Sequence, residues 1–222
     1  MFRARPTSAL FLFAALGFCL LAMPALPALG QSGQTVKIYS GSSNEVCGNG
    51  LITDSGNCDT LGTSDFNWVY IYGGTIVNSI YGGKASGATP VTDNKVIIQG
   101  GDLLGTLDGA QGSTPPITAP RERKNIYGGW SESGSVENNM VSIETVTRVD
   151  GLIIGGWVNL ASASGGVSNN QVVIDANAVV AGNIYGGFNQ GHGTVVGNSV
   201  IINNGTINSE IIAGGYRSVS GI

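Results

Sequence analysis

The side chains that most often perform acid, base or nucleophilic chemistry are few in this chain. The only histidine is His192, which lies between two glycines in the segment 190–194. A general base needs a positioned partner, and no such partner can be named for His192. We therefore interpret His192 as an exposed turn residue rather than as a catalytic base.

Acidic residues suggest two further kinds of site, a calcium site and a glycan-cleaving centre. Asp54, Asp59 and Asp65 are close in sequence and offer the oxygen ligands that calcium prefers. They lack the Gly-Gly-x-Gly-x-Asp period of calcium-binding repeats, so no metal site and no cofactor are predicted. Glycosidases need two carboxylates at a defined separation. The acids of the later chain occupy different repeat positions, which disfavours an enzyme: Glu132, Glu137, Glu144, Asp150, Asp175 and Glu210.

Aromatic residues, by contrast, recur in a pattern. Five repeat copies each contain a Gly-Gly pair at the same place, and an aromatic residue follows that pair in four of them: Trp130, Trp157, Phe188 and Tyr216. Lys84 takes that place in the first copy. We call the four residues the aromatic stripe, because stacked repeats would align them. An inward stripe would be core packing, which we favour, and an outward stripe would be a platform for a glycan or protein ligand.

The Gly-Gly pairs mark an internal repeat, which must position these residues. The pairs begin at Gly82, Gly128, Gly155, Gly186 and Gly214, so they are 46, 27, 31 and 28 residues apart. The sequence NIYGGWSESGSVENNMVSIE at 125–144 returns as NIYGGFNQGHGTVVGNSVIIN at 183–203. Self-similarity at a nearly fixed period is the signature of a repeat architecture.

The composition of one repeat indicates β-structure. Short runs rich in Val and Ile alternate partly with polar residues, as at 135–143, and indicate three short strands per repeat. Gly-Gly and Asn-Asn pairs are predicted to form the bends, because both residues tolerate left-handed backbone angles. We predict an all-β fold, a right-handed parallel β-helix with about 28–31 residues per coil and asparagine ladders at its bends. A β-propeller blade would need about 40 residues or more.

The segment outside the repeats divides the chain further. Residues 31–67 lack the repeat and are predicted to be an N-terminal cap, which a solenoid needs to cover its first open edge. Residues 68–222 form the repeat array. The segment 104–123 carries three prolines and accounts for the long first spacing, so it is predicted to be an insertion loop.

Cys47 and Cys58 lie in the cap and are the only cysteines after the first thirty residues. In an exported protein such a pair indicates a disulfide, worth about 2–3 kcal/mol in the loop-entropy model. A metal pair is disfavoured because no other cysteine or histidine lies nearby in sequence.

Residues 1–30 are predicted to be a cleaved signal peptide. Arg3 and Arg5 precede an apolar run at 9–23, and residues 28–30 offer small side chains for cleavage. The run has 15 residues, whereas a membrane-spanning helix needs about 20. We therefore expect a secreted or cell-surface protein.

Charge excludes one class of partner. Without residues 1–30 the chain has 8 basic and 14 acidic side chains, a net charge of −6. Nucleic acids and anionic membranes bind clustered Lys and Arg, so neither is predicted as a partner.

The repeat resembles the passenger regions of large bacterial autotransporters and related haemagglutinin-like surface proteins. The residues that carry the resemblance are 125–143, 153–174, 183–202 and 212–222. The resemblance implies an exported β-helical passenger, commonly adhesive, that precedes a C-terminal β-barrel in the outer membrane of a Gram-negative bacterium. No barrel pattern follows the repeats here, and we expect a truncated passenger.

These patterns favour a non-enzymatic role in surface adhesion or as a structural stalk. The alternative is a polysaccharide lyase or hydrolase built on a β-helix. A host-surface glycan or protein is the expected ligand, and self-association through an open C-terminal coil is the other expected contact.

Overall fold

Short β-strands, each stacked in parallel on its counterpart one coil away, make up the regular structure of this chain. The computed structural model describes residues 33, 35–38, 42–43, 45–48, 64–76, 79–100, 125–145, 148–149, 151–175, 177–212 and 215–217. Every regular element in these ranges is a strand. Over the same ranges, no helix is long and apolar enough to cross a membrane.

The three coils that begin with β4, β11 and β15 each have four strands within the described residues, so the prediction of three strands per repeat is wrong for these coils. A four-residue strand is followed by a two-residue strand, a six-residue strand and another two-residue strand. In chain order the strands are β1 Thr35–Ile38, β2 Ser42–Ser43, β3 Val46–Cys47, β4 Trp68–Ile71, β5 Thr75–Ile76, β6 Ile80–Ala85, β7 Val91–Thr92, β8 Lys95–Ile98, β9 Ile126–Ser131, β10 Val136–Glu137, β11 Met140–Ile143, β12 Arg148–Val149, β13 Ile153–Val158, β14 Val167–Ser168, β15 Gln171–Ile174, β16 Val179–Val180, β17 Ile184–Asn189, β18 Val195–Val196, β19 Ser199–Ile202, β20 Thr206–Ile207, β21 Ile211–Ile212 and β22 Tyr216–Arg217.

Equivalent strands of successive coils form parallel sheets. Sheet A has the order β1-β4-β8-β11-β15-β19, and sheet B consists of β2-β5 and β12-β16-β20. Sheet C has the order β3-β6-β9-β13-β17-β21, with β22 also paired to β17, and sheet D has the order β7-β10-β14-β18. Val141 is aligned with Val172 and then with Val200, which lie 31 and 28 residues further along. The predicted right-handed parallel β-helix is thus confirmed.

Two aliphatic clusters fill the interior of the coils. The larger one contains the inward side chains of sheets A and B and the first residue of each six-residue strand, such as Ile126, Ile153 and Ile184. The smaller one lies between sheet D and the ends of the six-residue strands, and includes Val136 and Val158. Because equivalent aliphatic residues stack on one another, the apolar surface is buried continuously from coil to coil.

A ladder of buried asparagines separates the two clusters. Its members share one position in five coils: Asn67, Asn94, Asn139, Asn170 and Asn198. The Nδ2 of Asn139 donates to Oδ1 of Asn170 at 2.9 Å, and the Nδ2 of Asn170 donates to Oδ1 of Asn198 at the same distance. The predicted asparagine ladder is therefore present, and it satisfies polar groups that would otherwise be buried without partners.

The four Gly-Gly pairs that the structure describes in full lie within six-residue strands and not at bends, so this part of the prediction is wrong for them. Gly155 and Gly156 occupy the middle of β13. A Cβ on Gly156 would lie 2.5 Å from Nδ2 of Asn170, and a Cβ on Gly155 would collide with the carbonyl oxygen of Gly186. Glycine is required here because the ladder and the next coil approach the backbone closely.

The segment predicted as the cap contributes strands to the same sheets as the array. β1 pairs with β4, and β3 pairs with β6, both in parallel. The signal peptide 1–30, the insertion loop 104–123 and Cys58 lie outside the described residues, so these predictions stay predictions.

Candidate functional site

The aromatic stripe is aligned along sheet C. Trp157 pairs with Trp130 on one side and with Phe188 on the other. The backbone of Tyr216 pairs with that of Phe188, and Lys84 pairs with Trp130. The register therefore places the residue after each Gly-Gly pair in a single column.

Trp130, Trp157 and Phe188 of the stripe face the outside of the coil and not its interior, so the inward placement that the sequence favoured is wrong for them, although the rings of Trp157 and Phe188 are covered. Val158 follows Trp157 and packs in the interior, so Trp157 points to the opposite face of the strand. Trp157 and Phe188 are nevertheless only 1% exposed, whereas Trp130 is partly buried. The central part of the stripe is thus a second core on the outer face of sheet C.

Tyrosines that precede the Gly-Gly pairs complete this outer core. The rings of Tyr81 and Tyr127 are stacked with centroids 4.8 Å apart, and Tyr127 meets Trp157 edge to face at 5.5 Å. Trp157 and Phe188 are 4.8 Å apart. We call this set, with Tyr185, the aromatic cluster. Such geometries are the preferred ones for aromatic pairs.

Asparagine side chains bind two of the tyrosine hydroxyls. Asn125 and Asn183 each donate from Nδ2 to the hydroxyl oxygen of the tyrosine two residues later, at 2.9 Å. In the coil between them, Leu152 and Ile154 occupy these two places, and both pack against the aromatic cluster. One coil has thus replaced a polar pair by an apolar pair at the same position.

Burial controls the ionisation of the tyrosines. Desolvation raises the pKa of Tyr127 well above its ordinary value, and the hydrogen bond from Asn125 only partly opposes this. Desolvation also raises the pKa of Tyr81, and the neighbouring Tyr127 and Glu45 add to the effect. Both hydroxyls are neutral in the folded protein at physiological pH.

A lysine lies at the first-coil end of the stripe. The Nζ of Lys84 is 4.5 Å from the ring centre of Tyr81 and 5.6 Å from that of Trp130. It also lies 3.4 Å from Oε1 of Glu45. Lys84 therefore ends the column of rings with a cation that interacts with two aromatic faces and with the carboxylate of Glu45.

The indole nitrogen of Trp157 is the exception within the aromatic cluster. Over the described ranges, its Nε1 is the buried side-chain polar atom for which no hydrogen-bond acceptor is found. Ring contacts therefore hold this side chain, and hydrogen bonding does not.

A second set of aromatic side chains lies on the outer face of sheet A. Trp68, Tyr70 and Tyr72 alternate with the buried Val69 and Ile71, so all three project outward. We call them the β4 row. The ring centres of Trp68 and Tyr70 are 6.3 Å apart, and those of Tyr70 and Tyr72 are 6.1 Å apart with planes 7° from parallel. Trp68 is 40% exposed and Tyr72 is 37% exposed.

Polar side chains of the neighbouring coils border the β4 row. Lys95 is the register partner of Trp68, and its Nζ lies 5.0 Å from the ring centre. Gln99 follows β8 as Tyr72 follows β4, so the two are neighbours. The Nε2 of Gln99 donates to Oε2 of Glu144 at 2.7 Å on the exposed surface.

Phe66 adds a fourth exposed ring at an unusual backbone position. It precedes the ladder residue of its coil, where the other coils have Asp93, Asn138, Asn169 and Gly197. All five residues have positive φ, and that of Phe66 is 58°. Asn, Asp and Gly adopt this conformation readily, but a bulky side chain does so at a cost. Phe66 is 44% exposed, so burial of its ring does not explain its presence.

The other residues considered in the sequence do not converge on one site. His192 is exposed, and its backbone N–H donates to the carbonyl of Ala163 at 2.7 Å. Asp65 accepts from the backbone N–H of Thr92, and Glu132 accepts from that of Gly87. Among the described residues, no group of three potential metal ligands is present. Asp54 and Asp59 lie outside these residues.

Comparison of the chain with protein-family models, with curated proteins and with solved structures found no match. The site must therefore be interpreted from its own geometry.

Sequence reasoning missed the β4 row, although a signal was present. The segment WVYIY at 68–72 places aromatic residues at every second position with Val and Ile between them. That period predicts a strand with aliphatic side chains on one face and rings on the other. The repeated Gly-Gly-aromatic motif instead indicated the other column of rings, in which Trp157 and Phe188 are buried.

Proposed function

We propose that this chain is an exported, non-enzymatic β-helical passenger region that acts in surface adhesion. The observation that carries the proposal is the exposure of the β4 row on an otherwise regular outer sheet. Contiguous exposed rings on a soluble domain commonly mark an interaction site. We assign the ligand contact to this row.

Export is supported by the sequence. The basic and apolar pattern of residues 1–30 is typical of a secretory signal, and a disulfide between Cys47 and Cys58 suits an oxidising compartment. Cys47 is buried in the aromatic cluster at the start of sheet C. Peptide mapping of the exported protein without reductant should recover the two cysteines in one linked fragment.

A role without catalysis is supported by the use that the fold makes of its acids. Glu132 binds a turn N–H, and Glu144 and Asp175 accept hydrogen bonds from amides on adjacent coils. Each of these carboxylates thus has a local structural contact. Glu144 and Asp175 nevertheless lie at equivalent positions of adjacent coils, so the prediction that the acids occupy different repeat positions is wrong for this pair. Glycan turnover that Glu137→Gln abolishes would contradict the proposal.

A second copy of the chain is a further proposed partner, at the last described coil. Ile201, Ile202 and Ile211 are exposed there, as is Val196. In the described part of the chain, β18, β19 and β20 each pair on one side only. Apolar strands with one open edge favour edge-to-edge association. Sedimentation should show concentration-dependent association, and a monomer at high concentration would contradict this contact.

Adhesion is tested with the full exported chain coupled to beads and presented to animal and plant cell surfaces. We expect the beads to bind at least one surface and the Trp68→Ala/Tyr72→Ala variant to lose that binding. Leu160→Ala is the matched control, because Leu160 is an exposed apolar residue outside the row. Failure of the parent chain to bind any surface would contradict an adhesive role and leave the stalk as the proposed function.

A further inference from the structure

We propose that the β4 row and the adjacent polar side chains of sheet A bind a neutral glycan. This inference rests on the proposed adhesive function and names the chemistry of its ligand. The surface combines flat exposed rings with side-chain amide and carboxylate groups that can bind hydroxyls.

The rings supply the apolar part of the site. Trp68, Tyr70 and Tyr72 project from one strand face at separations of 6.3 and 6.1 Å. The electron-rich face of an aromatic ring attracts the weakly positive C–H groups of a sugar ring, and both surfaces are flat. A row of rings along a strand therefore suits an extended chain of sugars better than a single one.

The polar part lies one and two coils away, at the Tyr72 end of the row. Gln99 lies beside Tyr72, and Glu144 lies beside Gln99. The carboxylate of Glu144 accepts from Gln99 at 2.7 Å and from the Ser142 hydroxyl at 3.3 Å. Each carboxylate oxygen has two lone pairs, so further hydroxyl donors can still be accepted. The amide and carboxylate, held together by this hydrogen bond, can thus bind adjacent hydroxyls of a sugar.

Charge distinguishes a neutral glycan from other ligands. The ammonium group of Lys95 already lies 5.0 Å from the ring centre of Trp68, which disfavours a cationic ligand at that ring. Glu144 and Asp175 occupy the same position on neighbouring strands and would repel an acidic glycan or a nucleic acid. A neutral polyhydroxylated chain is repelled neither by the ammonium group of Lys95 nor by the carboxylates of Glu144 and Asp175.

Phe66 supports the assignment of the glycan site to the surface around the β4 row. Its left-handed backbone conformation is one that a bulky side chain adopts at a cost, and its ring is exposed two residues from Trp68. An aromatic ring maintained at that cost, where other coils use Asn, Asp or Gly, extends the set of exposed rings.

The test measures binding of the full exported chain to two neutral probes, a linear β-glucan hexaose and N-acetyllactosamine, by calorimetry. We expect one probe to bind, and Trp68→Ala and Tyr72→Ala each to weaken binding about tenfold or more. Gln99→Ala should weaken it several-fold, because one polar contact is lost. His192→Ala is the control, since His192 is an exposed ring outside the row, and it should bind like the parent.

Two outcomes would overturn the inference. One is that neither neutral probe binds, or that sialylated and sulfated glycans bind instead. The other is that a neutral probe binds equally well to the parent and to Trp68→Ala and Tyr72→Ala. If beads carrying the chain adhere to cells while both neutral probes fail, the adhesive function stands and the glycan assignment falls. If the beads also fail to adhere, the proposed function itself is contradicted.

Discussion

At the residue scale, the amide of Asn139 connects three coils in the interior of the β-helix. The two hydrogens of its Nδ2 are shared among three acceptors, the carbonyls of Val91 and Glu137 and Oδ1 of Asn170. Its Oδ1 accepts from both the backbone N–H and the Nδ2 of Asn94. A single side chain therefore satisfies buried polar groups on both of its neighbours.

Substitution of Asn139 by Ala should lower the free energy of unfolding by about 3 kcal/mol, because several buried donors and acceptors lose their partners together. Denaturant unfolding of the exported chain measures this loss. Asn203→Ala is the control, since that amide bonds to Asp175 on the exposed surface and should change stability by no more than about 0.5 kcal/mol. Equal stability of the two variants would contradict a buried ladder.

Tyrosine ionisation should limit stability in alkali. The folded pKa of Tyr127 is raised above the ordinary value of 10.0, so the unfolded state releases its proton first as the pH rises. The stability is therefore complete below about pH 10 and is lost above it, at about 1.4 kcal/mol per pH unit for each such tyrosine. Tyr127→Phe should make the decline between pH 10 and 12 shallower. An identical slope in parent and variant would show that Tyr127 ionises freely in the folded protein.

Substitution of Phe66 should increase the stability of the folded chain and weaken its binding to the glycan. Phe66→Asn introduces the residue that two other coils have at this position, and it should stabilise the chain by about 1 kcal/mol because Asn tolerates a positive φ. The same variant should weaken ligand binding if the ring belongs to the site. Thermal unfolding and calorimetry measure the two effects, and a destabilised variant would contradict the strain at Phe66.

At the element scale, the six-residue strands of sheet C determine how closely the coils stack. Their paired glycines allow the asparagine ladder on one side and the neighbouring strand on the other to approach the backbone. The same strands carry the aromatic cluster on their outer face. Sheet C therefore serves two cores at once, which explains why its pattern is the most regular in the sequence.

Substitution of Gly155 by Ala should destabilise the chain by about 3 kcal/mol, because the added methyl group would collide with the backbone carbonyl of Gly186. Gly166→Ala is the matched control. A Cβ at Gly166 would lie 3.1 Å from Oγ1 of Thr194, a hydroxyl that can move, and its contacts with the Thr194 backbone would be ordinary ones at 3.5 Å or more. Differential scanning calorimetry should separate the two variants by several degrees. A mild effect at Gly155 would contradict the close packing of β13 on β17.

These strands also show what the sequence could predict and what it could not. The spacing of the Gly-Gly pairs and the alternating Val and Ile residues predicted the parallel coils, because stacking demands one residue type at one position. The Gly-Gly pairs themselves were placed at bends, since glycine is most often needed for its backbone freedom. Here it is needed for its missing side chain, which depends on the position of Asn170 in the fold. The exposure of Trp68 likewise depends on which face of β4 the next coils cover.

At the scale of the whole molecule, stacking gives the two outer aromatic sets different roles. The aromatic cluster on sheet C is buried around Trp157 and contributes to stability. The β4 row on sheet A is exposed and borders hydrogen-bonding side chains of the next coils. A repeat protein can vary an outer position in one coil without disturbing its core, because alternate residues of a strand face opposite sides.

Hydroxyl-radical footprinting of the three tryptophans tests this account most directly. The chain contains only Trp68, Trp130 and Trp157, so each can be quantified separately by mass spectrometry. The structure predicts that Trp68 is modified fastest, Trp130 more slowly and Trp157 slowest in the native exported protein. A bound neutral glycan should protect Trp68 alone. Modification of Trp157 as fast as that of Trp68 would contradict the buried stripe and the separate exposed row on which the proposed function depends.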